Sequence, residues 1–216
     1  MTVIGVIVEG DGEIDAISEL LKKVNSEFEI RHNPIRADLQ PKATSKVIAR
    51  SARSQILLWK RRGVDLIVVL IDREDHECSC RFSSELEAAF HEMYENTGLV
   101  FRVVVKNRMI ENWLVADVEA LKQMRARFSI STKFERAVVG RADEVEKALD
   151  LLDDAANKGS YRKGSDPLAI CKNQDVLRAS KNSRSYRRFL RVLGCTHYMQ
   201  QSKLPYDSPK LTRAAA

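Results

Sequence analysis

Two short apolar runs, each closed by acidic residues, constrain what this chain can fold into more than anything else in it. Val3-Ile4-Gly5-Val6-Ile7-Val8 ends in Glu9-Gly10-Asp11-Gly12-Glu13, and Leu66-Ile67-Val68-Val69-Leu70-Ile71 ends in Asp72-Arg73-Glu74-Asp75-His76-Glu77. Unbroken runs of this kind read as strands buried on both faces, the habit of a parallel sheet covered by helices. Helical spacing fills the intervals. Ile14, Ile17, Leu20, Leu21 and Val24 predict a helix over 13–24, and 43–62 predicts a long helix stopped by Gly63. A third helix is expected over 82–96, ended by Gly98, then a strand over 99–105, a helix over 110–124 and a polar helix over 143–156. Residues 28–31 alternate like a short strand, and 33–42, with Pro34 and Pro41, reads as a loop. Alternating strands and helices call for right-handed crossovers and a mostly parallel central sheet, an α/β fold.

At 216 residues, 44% apolar and 31% charged, the chain suits one sizeable globular domain with a smaller appendage. It has no stretch of about 20 apolar residues to span a membrane and no basic leader, so a cytoplasmic protein is expected. Cys78, Cys80, Cys171 and Cys195 lack CxxC spacing and read as free thiols. His76 beside Cys78 and Cys80 is a weak zinc signal. Charge is unevenly spread. Residues 158–213 hold thirteen Lys and Arg against three acids, while the remainder is mildly acidic. A basic C-terminal quarter beside an acidic body suits a phosphodiester substrate; a solvated surface run is the plainer explanation. The expected division is 1–157 for the catalytic domain and 158–216 for a basic, helical extension packed on it, with 159–167 as loop and one or two short helices over 176–193.

In open α/β sheets the ligand site lies beyond the carboxyl ends of the strands. Glu9 and Asp72 would both sit there, and neighbouring carboxylates repel unless a cation stands between them. Hard oxygen donors suit Mg2+ or Mn2+. Glu74 and Asp75 compete for the second position after Asp72. Glu13 is either a further ligand or a helix-capping acid, and Glu111 either closes the pocket or opens a helix. Trp113 and Leu114 read as core. Phosphodiester hydrolysis also needs a cation near the developing charge, for which Lys163 and Lys172 are candidates. Lys46, Arg50 and Arg53 form one basic stripe on the long helix. Arg184, Arg187, Arg188 and Arg191 surround Tyr186 and Phe189, which either stack bases or anchor the segment to the core.

The order strand–Glu9–Gly10, helix, strand, helix, strand–Asp72-x-Glu74, helix resembles a Toprim domain, the catalytic module of topoisomerases, primases and OLD-family nucleases. Glu74 stands where that family has a second aspartate. Val8-Glu9-Gly10-x-x-Glu13 is most similar to the OLD-type nucleases, which implies that Glu13 also serves the metal. Glu111-Asn112-Trp113-Leu114-Val115-Ala116-Asp117 resembles the E-x-W-L-x-A-D segment of the DUF4276 family of bacterial Toprim-like proteins. Asp72-Arg73-Glu74-Asp75-x-Glu77-Cys78 and Ser183-Arg184-Ser185-Tyr186-Arg187-Arg188-Phe189-Leu190 fit the same family. The resemblance implies a Toprim-like Rossmannoid fold and relatives in anti-phage defence that act beside an OLD- or ABC-type ATPase.

The expectation is therefore a metal-dependent endonuclease on DNA or RNA. Two Mg2+ or Mn2+ ions held by Glu9, Asp72, Glu74 and Glu13, with Asp75 and Glu111 as further candidates, would activate water and stabilise the leaving oxygen. Glu9, Asp72 and Lys163 would carry the chemistry. Lys46, Arg50, Arg53, Arg184, Arg187 and Arg188 would grip nucleic acid. A non-catalytic nucleic-acid-binding or sensor subunit is the rival, phosphotransfer on a small nucleotide a third reading, and a homodimer stays open.

Overall fold

The computed structural model describes residues 1–203; the last part of the basic extension, 204–216, lies outside the described residues. Strand β1 (Val3–Val8) is central, with β4 (Leu66–Asp72) on one edge and β5 (Val100–Lys106) beyond it. The other edge of β1 is shared in tandem by two short strands. β2 (Glu29–Ile30) pairs near its start and β3 (Ile35–Arg36) near its end. Every pairing is parallel, so the fold is α/β with a parallel sheet between helical layers, a Rossmann-like arrangement. β3 falls inside the stretch expected to be loop. The open edge of β1 explains it: its carbonyls need donors, and the N–H of Ala37 meets the carbonyl of Val8 at 2.9 Å.

Strand alternation sends Val6, Val8, Val68, Leu70 and Val104 to one face and Ile7, Ile67, Val69, Ile71 and Val103 to the other. The first face is covered by α1 (Asp11–Lys22) and by the helices that follow β5, the second by α2 (Ser45–Ser51), α3 (Arg53–Arg61) and α4 (Ser79–Met93). Gly5 is a packing requirement of the second face. A Cβ there would lie 2.7 Å from Cδ2 of the buried Trp59.

The long helix expected over 43–62 is two helices. Ala52 leaves helical geometry, and Ser51 Oγ donates back to the carbonyl of Ile48 at 2.8 Å, a bond that bends helices. The helix expected over 110–124 divides into α5 (Ile110–Val115) and α6 (Val118–Gln123), because Asp117 caps the second through the N–H of Ala120. Of the polar helix expected over 143–156, only α8 (Ala148–Ala155) is an α-helix; Asp143 lies in a 3-10 turn and turns its carboxylate to Ser183 and Ser185. Helices α7 (Thr132–Val138) and α9 (Asp166–Asn173) had no clear sequence signal. They are followed by α10 (Val176–Asn182), α11 (Arg184–Val192) and α12 (Thr196–Lys203).

The described residues after 158 do not form a separate core. Ile170, Tyr186, Phe189 and Leu190 are fully buried in the same cluster as β1 and α1. Lys23, just past α1, donates to the carbonyls of Cys171, Lys172 and Gln174 at 2.7, 2.8 and 2.7 Å, a cation at the negative end of α9. The two motifs that carry the family resemblance meet here. Trp113 Nε1 donates to Ser185 Oγ at 2.7 Å, and its ring centroid lies 5.0 Å from those of Tyr186 and Phe189. Asp117, almost fully buried, takes both Nε (2.9 Å) and Nη2 (3.0 Å) of Arg178. These segments are the joint between the sheet and its C-terminal layer, with Trp113 and Leu114 in the core as expected.

Candidate active site at the carboxyl edge of the sheet

Three neighbouring parallel strands end in charged residues. Glu9 follows β1, Asp72 closes β4, and Lys106 closes β5 in register with Asp72. The turn Glu9-Gly10 leads into α1, whose third residue, Glu13, points back over the sheet edge and is 7% exposed. The four side chains converge. Lys106 Nζ donates to Glu13 Oε1 and stands 3.0 Å from Asp72 Oδ1. The N–H of Asp72 donates to Glu9 Oε2 at 3.3 Å. Lys106 has no exposed surface.

Burial governs the electrostatics. It pushes the Asp72 carboxyl up to about 7, against the pull of Lys106, and the Glu13 and Glu9 carboxylates push the same way. Glu9 is raised for the same first reason, with Lys106 opposing. Burial alone would depress the Lys106 ammonium, but Asp72 and Glu13 outweigh it and hold it above the usual lysine range. Lys106 is therefore cationic at every physiological pH, one cation set among three carboxyl groups.

A divalent cation finds the right donors here. The oxygens are hard, the cluster is net negative, and Glu13 Oε2 is buried with no hydrogen bond. It does not find a ready-made cage. Among the described residues no three Asp, Glu, His or Cys side chains are grouped to share one ion as they stand. The ammonium of Lys106 takes up the space between Glu13 and Asp72.

The other expected site residues are placed differently. Glu74 and Asp75 lie on an outward turn, with Glu74 at φ +47°, and Lys42 Nζ stands 3.8 and 3.1 Å from their carboxylates. Glu74 still acts on Glu9 through space. Glu111 is buried on α5 against Tyr161, whose phenol is raised first by burial and then by that carboxylate. Lys163 is exposed, and its carbonyl oxygen would be 3.4 Å from a Cβ on Gly12, so its loop crosses the start of α1. His76 stacks on Phe82 at 3.6 Å and its Nε2 is 2.8 Å from the carbonyl of Pro41, a packing role beside thiols that are all free.

The basic candidates separate. Lys46 pairs with Glu92 at 2.9 Å, while Arg50 and Arg53 are exposed on helices of the α4 side. Arg184, Arg187 and Arg188 line a groove of about 670 Å³ together with Arg73, Arg191 and the first turn of α4. Two of these also hold the fold. Arg187 donates to the carbonyl of Ser180 at 2.8 Å. Arg188 reaches Val103 O (3.2 Å), Ser83 Oγ (3.2 Å) and Glu87 Oε1 (2.9 Å), covering the free edge of β5. Tyr186 and Phe189 are core residues, not base platforms.

Sequence reasoning missed Lys106. Its signal was visible as a cation at the end of the third apolar run, but only strand order shows that this end lies beside Asp72. Among the described residues no helix is long and apolar enough to cross a membrane. A family described as Domain of unknown function (DUF4276) matches residues 8–194. No curated protein and no solved structure matches the chain.

Proposed function

Because the chain belongs to the DUF4276 family, whose description assigns no activity, its function has to be read from the site, and we propose a metal-dependent nuclease acting on DNA or RNA. The reading is supported above all by one arrangement. Adjacent parallel strands bring Glu9, Asp72 and Lys106 to the carboxyl edge, and Glu13 joins them from the following helix. Glu9 and Asp72, with the free Oε2 of Glu13, are the residues that would hold Mg2+ or Mn2+. Bound there, such an ion would lower the pKa of a water and neutralise charge on the phosphate. Lys106 supplies a fixed cation for the developing negative charge, and Glu13 and Asp72 orient its ammonium. The N–H of Asp72 orients Glu9. Lys106 takes the role first considered for Lys163, and Glu74 and Asp75 serve as an outer acidic rim.

A non-catalytic binding or sensor subunit is favoured by a single observation: the Lys106 ammonium stands between Glu13 and Asp72, where a metal would otherwise balance their charge. A Mn2+ assay on DNA, structured RNA and tRNA separates the two, run with and without the partner ATPase that the family resemblance implies. The nuclease reading expects cleavage by the parent and none by Glu9→Gln at unchanged melting temperature. Robust cleavage by Glu9→Gln, or none by the parent on any substrate, rejects it.

A further inference from the structure

The groove beside the acidic centre is more basic than the family motifs suggested. Five arginines line it: Arg73, Arg184, Arg187, Arg188 and Arg191. Its two acids do little to offset them. Glu77 is exposed, and the Asp143 carboxylate is engaged by Ser183 and Ser185. Arg184 and Arg191 are exposed and form no ion pair among the described residues, and Arg73 Nε is buried with no acceptor. The first turn of α4, a helix of 15 residues, opens into the groove with a cysteine, Cys78, at its cap instead of an oxygen-bearing side chain. The arginines of the groove outnumber its acids five to two, and Arg184, Arg191 and the Nε of Arg73 have no acidic partner among the described residues.

The spacing favours a row of phosphates over a single one. Arg184 and Arg191 are seven residues apart on α11, about 10 Å along its axis at 1.5 Å per residue, with Arg187 and Arg188 between them. A volume of about 670 Å³ is that of a small-molecule pocket, which roughly span 300–1,000 Å³. That size suits one strand of a few nucleotides better than a duplex.

The groove and the acidic centre share the carboxyl edge on opposite faces. Arg73 follows Asp72, Asn107 follows Lys106, and the N–H of Arg73 donates to the carbonyl of Lys106 at 3.0 Å. A strand held in the groove has only to cross that edge to reach Glu9 and Asp72. We infer that this arginine-lined groove binds the phosphate backbone of single-stranded nucleic acid and feeds it to the acidic centre. The feeding step rests on the proposed nuclease; the binding does not.

The test is fluorescence anisotropy of a labelled single-stranded 12-mer in EDTA, where no cleavage occurs. The variant Arg184→Ala/Arg191→Ala removes the two unpaired arginines and leaves the structural hydrogen bonds of Arg187 and Arg188 in place. Its Kd should rise at least tenfold, and the slope of log K against log salt should flatten by about 1.4, roughly 0.7 for each phosphate of a single strand that is no longer neutralised. The melting temperature should hold. Lys60→Ala/Arg61→Ala, with the same charge change on α3, should bind as the parent does. Glu9→Gln should bind fully, so lost cleavage with retained binding speaks only to the nuclease. Equal binding and slope in the Arg184→Ala/Arg191→Ala variant would overturn the inference. So would preference for a duplex, or displacement of the 12-mer by stoichiometric ATP, which would assign the groove to a mononucleotide.

Discussion

Replacing Lys106 by Met removes the one cation from a buried group of carboxylates while keeping a long apolar stem. Glu13 and Asp72, whose side chains are 9% and 19% exposed, would then have no positive partner. Breaking a buried ion pair by removing one member costs about 3–5 kcal/mol. In a domain of this size each kcal/mol lowers the melting temperature by about 2–4 °C, so a fall of about 6–20 °C is expected at pH 8 in EDTA. The loss should depend on pH. In the folded variant the carboxyls gain protons more readily than in the unfolded chain, whose carboxylates titrate near pH 4. Where the folded state binds more protons, stability falls as pH rises. Burial already pushes the Asp72 carboxyl up to about 7 against the pull of Lys106, and losing that pull raises it further. The deficit should therefore be larger at pH 8 than at pH 5. Neutralising the orphans in Lys106→Met/Glu13→Gln/Asp72→Asn should restore most of the stability, since neutral replacements for buried ionic groups are often tolerated. Thermal melts at pH 5, 6.5 and 8 measure this. No deficit at pH 8, or the same deficit at pH 5, would refute the account of the cluster.

Three further outcomes are expected. Mn2+ should raise the parent's melting temperature, because an ion that binds only the folded state stabilises it by mass action, and Asp72→Ala should abolish that rise; an equal rise in the variant would place any bound ion elsewhere. Gly5→Ala should cost about 1–3 kcal/mol in urea melts, the range for overpacking, since its methyl meets the Trp59 ring at 2.7 Å; an unchanged midpoint would show that the indole moves freely. Iodoacetamide should label Cys78 first and at lower pH than an ordinary thiol, because the N–H groups of Arg81 and Cys80 stabilise its thiolate, while Cys171, buried and pushed up to about 12, stays unlabelled in the folded state; mass spectrometry showing Cys171 modified first would contradict the packing of α9.

The parallel sheet was legible because its strands are continuous apolar runs and the helices between them have clear spacing. Both signals are local, and both survive in the structure, with Gly63 and Gly98 in the left-handed conformation at the helix ends. Glu9 and Asp72 were legible for a related reason: the end of a buried strand is where the chain meets solvent, so an acid there faces the sheet edge. Helix continuity was less so. Ser51 and Asp117 break helices through side-chain hydrogen bonds and tertiary packing that no periodicity records. Roles set by neighbours distant in sequence were not legible at all. Lys106 becomes the partner of Asp72 only because β4 and β5 are adjacent in register. Glu74 and Asp75, two and three residues past Asp72, turn away because the chain closes a tight turn between Arg73 and His76. Arg188 reads only as a phosphate ligand in one dimension and is seen in three to cover the edge of β5 as well as line the groove. Sequence by itself determined the main strands and which of their ends carry charge; the packing of the elements decided which charges meet, because electrostatic partnership depends on distance in space and not on separation along the chain.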